Sequence, residues 1–184
     1  MTNATLSAAA FRAAWDHLDL GAMPIVLHVD DDAAWADLTA CGLARGDEVD
    51  PWLGSALKLI ANPPRSGDLR LGIGSGAVRA LAASAGNGAV LAVLAGGTLA
   101  VTGLDHDDLA SALVGVLPVA DDGTVGAPDL RGQFGAAVVD ASGRRRRAPD
   151  VVDFHGPAEP VELRGRVAEL IDQGGVGRLQ SDRT

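Results

Sequence analysis

Leu69-Arg70-Leu71-Gly72-Ile73-Gly74-Ser75-Gly76-Ala77-Val78-Arg79-Ala80-Leu81-Ala82-Ala83-Ser84-Ala85-Gly86 has two readings, and the choice between them fixes the fold. In one, Gly72-x-Gly74-x-x-Ala77 is the permissive form of a dinucleotide-binding fingerprint. The glycines then admit a pyrophosphate to backbone N–H groups, and residues 78–85 open a crossover helix. The chain would be a small nucleotide-binding enzyme using Gly72, Gly74 and Ala77. In the other, the glycines form a hairpin turn and residues 78–85 are a strand. Valine, leucine and alanine suit either state.

Three observations favour the hairpin. The acidic ribose ligand of a dinucleotide site falls about 20 residues on, at the end of the next strand; that stretch is Leu94-Ala95-Gly96-Gly97, without a carboxylate. The fingerprint usually opens its domain, whereas here it sits mid-chain. Finally, Ser75-Gly76 with Arg79 recurs as Ser142-Gly143 with Arg146, at a constant offset of 67. Each copy lies between an apolar strand and a second extended segment, and a third apolar segment follows, residues 89–94 or 161–163. In the second copy Pro149 excludes a helix interior. The hairpin is therefore the expected structure, and the nucleotide site is the alternative.

Working outward, residues 69–73, 89–94 and 98–102 read as further strands. Gly86-Asn87-Gly88 and Ala95-Gly96-Gly97 are the turn signals between them. Asp105 caps a helix in which Leu109, Ala112, Leu113, Val116 and Leu117 share a face, closed by Pro118. Residues 119–130 lack periodicity and read as a linker. A strand over 134–139, a Ser142-Gly143 turn and extended segments at 144–147 and 151–154 follow. A two-turn helix is expected over 166–172, and a loose tail from 174. Upstream, Phe11, Trp15 and Leu18 predict a helix over 7–20, ended by Gly21. Pro24 opens a strand over 25–29. Asp30, Asp31 and Asp32 N-cap a helix over 33–41 with Trp35 and Leu38 inward and Gly42 as C-cap. Asp50-Pro51 starts a helix with Trp52, Leu53, Ala56, Leu57 and Ile60 on one face, and Asn62-Pro63-Pro64 stops it.

Composition bounds the function. The chain has 184 residues, 47% of them hydrophobic, so it builds a core and is not disordered. It has three Phe, three Trp and no Tyr, which makes that core aliphatic and small. Fifteen basic residues stand against 24 acidic ones, a net charge of -9 that disfavours nucleic-acid binding. Apolar runs fall short of the roughly 18 residues of a membrane span, so no membrane insertion is expected. Met1 to Ala10 shows no secretion signal. Cys41 is the single cysteine, which excludes an intramolecular disulfide and a thiolate zinc cluster. A reducing cytoplasm is the expected location.

Candidates for chemistry are sparse. Asp16, His17 and Asp19 read as an exposed polar face. His28 beside Asp30–Asp32 lacks the second histidine of a metal site, and the aspartates lack the alternation and glycine of a calcium loop. His106-Asp107-Asp108 reads as a solvated helix start. Cys41 is expected as a small core residue. Ser55 sits inside a helix without the second glycine of a nucleophile elbow. Arg144–Arg147 is the one charge run, expected to blunt a strand edge or to meet an acidic partner. No catalytic residue, metal or cofactor is assigned.

Four segments carry a family likeness. They are Leu20-Gly21-Ala22-Met23-Pro24-Ile25-Val26-Leu27; Leu69-Arg70-Leu71 running into residues 78–86; Gly88-Ala89-Val90-Leu91-Ala92-Val93 through to Leu117-Pro118; and Gly132-Gln133-Phe134-Gly135-Ala136-Ala137-Val138-Val139-Asp140 followed by Gly143-Arg144-Arg145-Arg146-Arg147-Ala148-Pro149. Their order resembles the EspG proteins, chaperones of actinobacterial type VII (ESX) secretion. The resemblance implies an α+β fold: a mainly antiparallel twisted sheet with a pseudo-two-fold repeat, about 65–95 and 132–165, flanked by an N-terminal helical bundle. It implies one domain over 1–184, with an N-terminal half 1–118, a linker 119–131, a C-terminal half 132–173 and a tail 174–184. Family members usually carry a second helical bundle between the equivalents of Pro118 and Gly132; here about 13 residues join them, so a shortened member with that bundle reduced, and without a full final strand and helix after Leu163, is the expectation. The implied function is non-enzymatic: binding a PE–PPE heterodimer or similar client in the cytoplasm and keeping it soluble before export. A homodimer completing the surface is compatible with this; a self-associating structural protein without a client is a separate alternative. The expected contact residues are Gly74, Ser75, Gly76, Gln133 and Phe134, at strand ends, with Arg144 and Arg146.

Overall fold

Apolar side chains run almost without interruption from Ala77 to Ala95 because the strands they form are covered on both faces. The computed structural model describes residues 3–73, 76–104, 109–116, 131–139, 145–147 and 152–155. Within them lie β1 (Asn3–Ser7), α1 (Ala8–His17), a 3₁₀ turn (Ile25–Leu27), α2 (Trp35–Ala40), β2 (Ala44–Arg45), β3 (Glu48–Val49), α3 (Pro51–Ala61), β4 (Arg65–Ile73), β5 (Gly76–Ala85), β6 (Gly88–Ala95), β7 (Thr98–Leu104), α4 (Leu109–Val114), β8 (Arg131–Val139), β9 (Arg145–Arg147) and β10 (Val152–His155). One eight-stranded sheet runs in the order β1-β7-β6-β5-β4-β8-β10, with β9 also paired to β8; β2 and β3 form a separate hairpin. Every ladder among the described residues is antiparallel.

β5 settles the opening ambiguity. Ile73 pairs with Gly76 in a tight hairpin, and β5 is hydrogen-bonded along its length between β4 and β6. No helix starts after the glycines, so no helix N-terminus faces a pyrophosphate. The nucleotide-binding alternative fails on that point. The other hairpin turns form as their glycines require. Gly96 and Gly97 both take positive φ, 55° and 75°, in the two-residue loop where Ala95 pairs with Thr98.

The sheet separates two cores. On one face Leu81, Ala83, Val90, Ala92, Leu94, Leu99 and Val101 pack under α1, α2 and α3, with Phe11 and Trp15 in edge-to-face contact at 5.5 Å. On the other, Leu69, Leu71, Ala80, Ala82 and Ala89 pack against Leu109, Leu113 and Val114 of α4. Alternate β5 residues go to opposite cores, as the pleat demands. Ala80, Ala82 and Ala83 are fully buried, which fits a sheet built from small side chains.

Several local expectations hold. Asp50 caps α3, its carboxylate accepting from the Leu53 N–H at 2.9 Å, with Pro51 in the first turn. Gly42, at φ 71°, ends α2, with Gly42 N–H to Thr39 O at 2.9 Å and Leu43 N–H to Leu38 O at 3.0 Å.

Others are corrected. Strand β1 was not expected, although its alternation of exposed Asn3 and Thr5 with buried Ala4 and Leu6 is a two-residue period. It takes the edge beside β7 and leaves Ser7 to cap α1. α1 ends at His17, not at residue 20. Asp19 adopts φ 49° and Leu20 N–H closes on Trp15 O, so an aspartate fills the left-handed position assigned to Gly21. The Trp15 indole then pins the following chain, donating to Gly21 O at 2.8 Å. Residues 25–29 are not a strand. Leu27 N–H bonds back to Pro24 O at 2.9 Å, and the 3₁₀ turn sends Val26 and Leu27 into the core. Asp30, Asp31 and Asp32 are exposed and cap nothing; α2 starts at Trp35, where the Ala34 N–H is already held by Ala9 O at 3.0 Å. Expectations for Asp105, 119–130, Ser142-Gly143, 161–163, 166–172 and the tail from 174 lie outside the described residues.

Candidate partner-binding surface

Strand direction places the expected contact residues at two ends of the sheet. Gly76 opens β5 beside Ile73, and Gly72 pairs with Arg131 at the start of β8. The Ala95–Thr98 turn comes to this same end, because Val78 pairs with Ala95. Gln133 is opposite Arg70 on β4, and Phe134 is opposite Leu69. Both were expected at the start of a strand, yet β8 begins at Arg131. β4 runs on to Ile73 and draws Arg131 and Gly132 into its ladder, while β10 pairs their other edge. Phe134 is therefore held mid-strand between Leu69 and Val152. Arg146 pairs with Val138 at the opposite end of β8. Gly76 and Gln133 lie toward one end of the sheet, on either side of β4, and Arg146 lies toward the other. Gly74, Ser75 and Arg144 lie outside the described residues.

The same end of the sheet carries an open cleft of about 880 Å³ that sequence reading missed. Its walls are the segment from Met23 to Asp31, the first residues of β5 and the Gly96–Gly97 turn. Arg79 bridges them, its Nη1 donating to His28 O at 2.9 Å. His28 Nε2 lies 3.0 Å from Asp30 Oδ1. Ile25 stands at the mouth, 68% exposed. The sequence signal available was Pro24 before an apolar triplet. A strand would put residues 25 and 27 on one face, whereas the 3₁₀ turn buries Val26 and Leu27 together and leaves Ile25 outside.

The other polar candidates do not converge on a reaction. Arg12 Nε donates to Asp16 Oδ2 at 2.8 Å across one exposed helical turn, and that bond, then the carboxylate charge, raises the guanidinium pKa. His17 packs on the Trp35 ring at 4.5 Å. Ser55 Oγ donates to Pro51 O within α3. Cys41 is exposed at the end of α2, not in the core, because Leu38 takes the inward position. Among the described residues no group of three His, Cys, Asp or Glu is arranged to hold a metal ion. No helix among them is long and apolar enough to cross a membrane. His106-Asp107-Asp108 lies outside the described residues.

Comparison with known proteins agrees with this architecture. No curated protein matches the chain. Among solved structures, that of the Mycobacterium tuberculosis type VII secretion system chaperone EspG5 in complex with a PE25–PPE41 dimer is similar, with a TM-score of 0.71 and 12% identity. The alignment covers 97% of this chain and 99% of that one. At that identity the likeness is one of fold. The EspG family model matches residues 7–127, which is more than half of the sequence. This chain therefore belongs to the EspG family.

Proposed function

We propose that this protein is a cytoplasmic chaperone or adaptor of type VII secretion that binds a PE–PPE-type client and keeps it soluble before export, without catalysing a reaction. The observation that carries this reading is the family match over residues 7–127, which contains α1 to α4 and the strands β4 to β7. The mechanism is burial of a client's apolar tip against the end of the sheet where β5 and β8 begin, with Gly74, Ser75, Gly76, Gln133 and Phe134 as the contact residues. A surface of about 800 Å² per partner is enough for a stable complex of this kind.

In this reading residues 1–184 are one domain whose sheet is two related halves, about 65–95 and 132–165, meeting at β4 and β8. The ladder registers support it. The offset of 67 relates Asp68 to Gly135, and these two residues are directly paired near the middle of the β4–β8 ladder. β9 and β10 both run antiparallel to β8, as β5 does to β4.

The test is co-expression of the tagged chain with PE–PPE pairs encoded in the same genome, followed by size-exclusion chromatography. A complex containing one copy of a PE–PPE pair is the expected result. A well-folded chain that captures none of the pairs overturns the reading.

A further inference from the structure

We propose that the cleft between the 3₁₀ turn and the Gly96–Gly97 loop seats an apolar side chain of the client flanked by a lysine or arginine. The inference rests on the client-binding reading above and names the chemistry of its contact. Ile25 is the exposed large hydrophobic side chain among the described residues. It cannot turn inward: its neighbours Val26 and Leu27 are 3% and 0% exposed, so their burial fixes the turn's orientation. Half-buried Met23 stands beside it, and buried Leu94 lies deeper in the cleft. Covering Ile25 is the largest apolar gain this surface offers a partner.

The rim determines which partner fits. Asp30 and Asp31 line the cleft, exposed and outside any helix. Asp30 already faces His28 Nε2 at 3.0 Å, and Arg79 is turned to the His28 carbonyl, so Asp31 is the rim carboxylate left to pair with a partner's cation. An apolar floor edged by carboxylates selects a hydrophobic residue next to a cation and disfavours an acidic neighbour. A second copy of this chain is the poorer occupant, because two chains of charge -9 repel.

The chain contains four isoleucines, at 25, 60, 73 and 171, and two methionines, at 1 and 23, so methyl-labelled protein gives a sparse spectrum. The probe is the PE–PPE pair recovered by co-expression, titrated into the full chain. Ile25 and Met23 methyl signals shift while that of buried Ile60 stays. Ile25→Asp weakens binding at least about tenfold with its melting temperature unchanged, as expected for an exposed side chain. Asp30→Lys with Asp31→Lys weakens it further and removes its salt dependence, whereas Asn87→Asp, in the turn at the far end of β6, has no effect. If the pair binds but Ile25 and Met23 stay still and Ile25→Asp binds as wild type, the cleft is not the seat, although the chaperone reading stands. If no pair binds the wild-type chain, both fall. A homodimer that Ile25→Asp dissociates overturns the client as occupant in favour of self-association.

Discussion

Single residues here act mainly through backbone conformation. Asp50 satisfies an N–H at the start of α3 that has no partner within the helix, so Asp50→Ala should cost about 1 kcal/mol in denaturant unfolding. Asp19 sits at φ 49°, where a side chain is strained and glycine is not. Asp19→Gly is therefore expected to stabilise the protein by roughly 0.5 kcal/mol, a modest net gain because glycine also loosens the unfolded chain. The same measurement on both variants separates a lost cap from a relieved strain, since the two shifts have opposite sign. Two residues whose neighbours suggested one role play another. Cys41 ends a helix in solvent, and Gly21 receives the Trp15 indole instead of terminating α1.

Among the elements, β5 is the one on which the fold turns. It is covered by α3 and the 3₁₀ turn on one face and α4 on the other, and its alanines leave no room for larger side chains. Ala82→Leu should destabilise by about 1–3 kcal/mol through overpacking against α4. Ala85→Leu, exposed at the end of the same strand, should shift stability by no more than about 0.5 kcal/mol. Equal effects at the two positions would contradict the two-sided core. This burial also explains why residues 78–85 were ambiguous. A strand with one wet face announces itself by alternation, and β1 does so with Asn3-Ala4-Thr5-Leu6. A strand dry on both faces loses that signature and reads equally as helix.

For the molecule as a whole, stability should be graded from the middle of the sheet outward. Hydrogen exchange is expected to be slowest for Leu81–Ala83 and Val90–Ala92, which have a strand on each side and cores on both faces. Amides of β1, paired on one side to β7, should exchange faster. Protection of β1 equal to that of β5 would mean that the sheet opens as one unit. The cleft lies at the end of this frame, with one wall on the central strands and the other on the segment from Met23 to Asp31. A rigid wall facing a loop suits a surface that holds a partner, because the scaffold sets position and the loop supplies contact.

The sequence by itself determined the features that depend on near neighbours in the chain. Asp50-Pro51 started a helix, Gly42 ended one, and Gly86-Asn87 and Gly96-Gly97 turned strands, because caps and positive-φ turns are decided within a few residues. The recurrence of Ser75-Gly76 and Arg79 at an offset of 67 disfavoured a nucleotide site from the sequence alone. The tertiary structure decided what depends on a distant partner. Residues 25–27 are as apolar as a strand, but in the fold they wind into a 3₁₀ turn against the central strands. Residues 30–32 are good caps, but Ala9 O had already taken the Ala34 N–H at the start of α2. The cleft joins residues 23–31 to 77–79 and 94–97, segments separated by tens of residues. No local pattern records such a meeting, because burial and strand pairing across the fold create it.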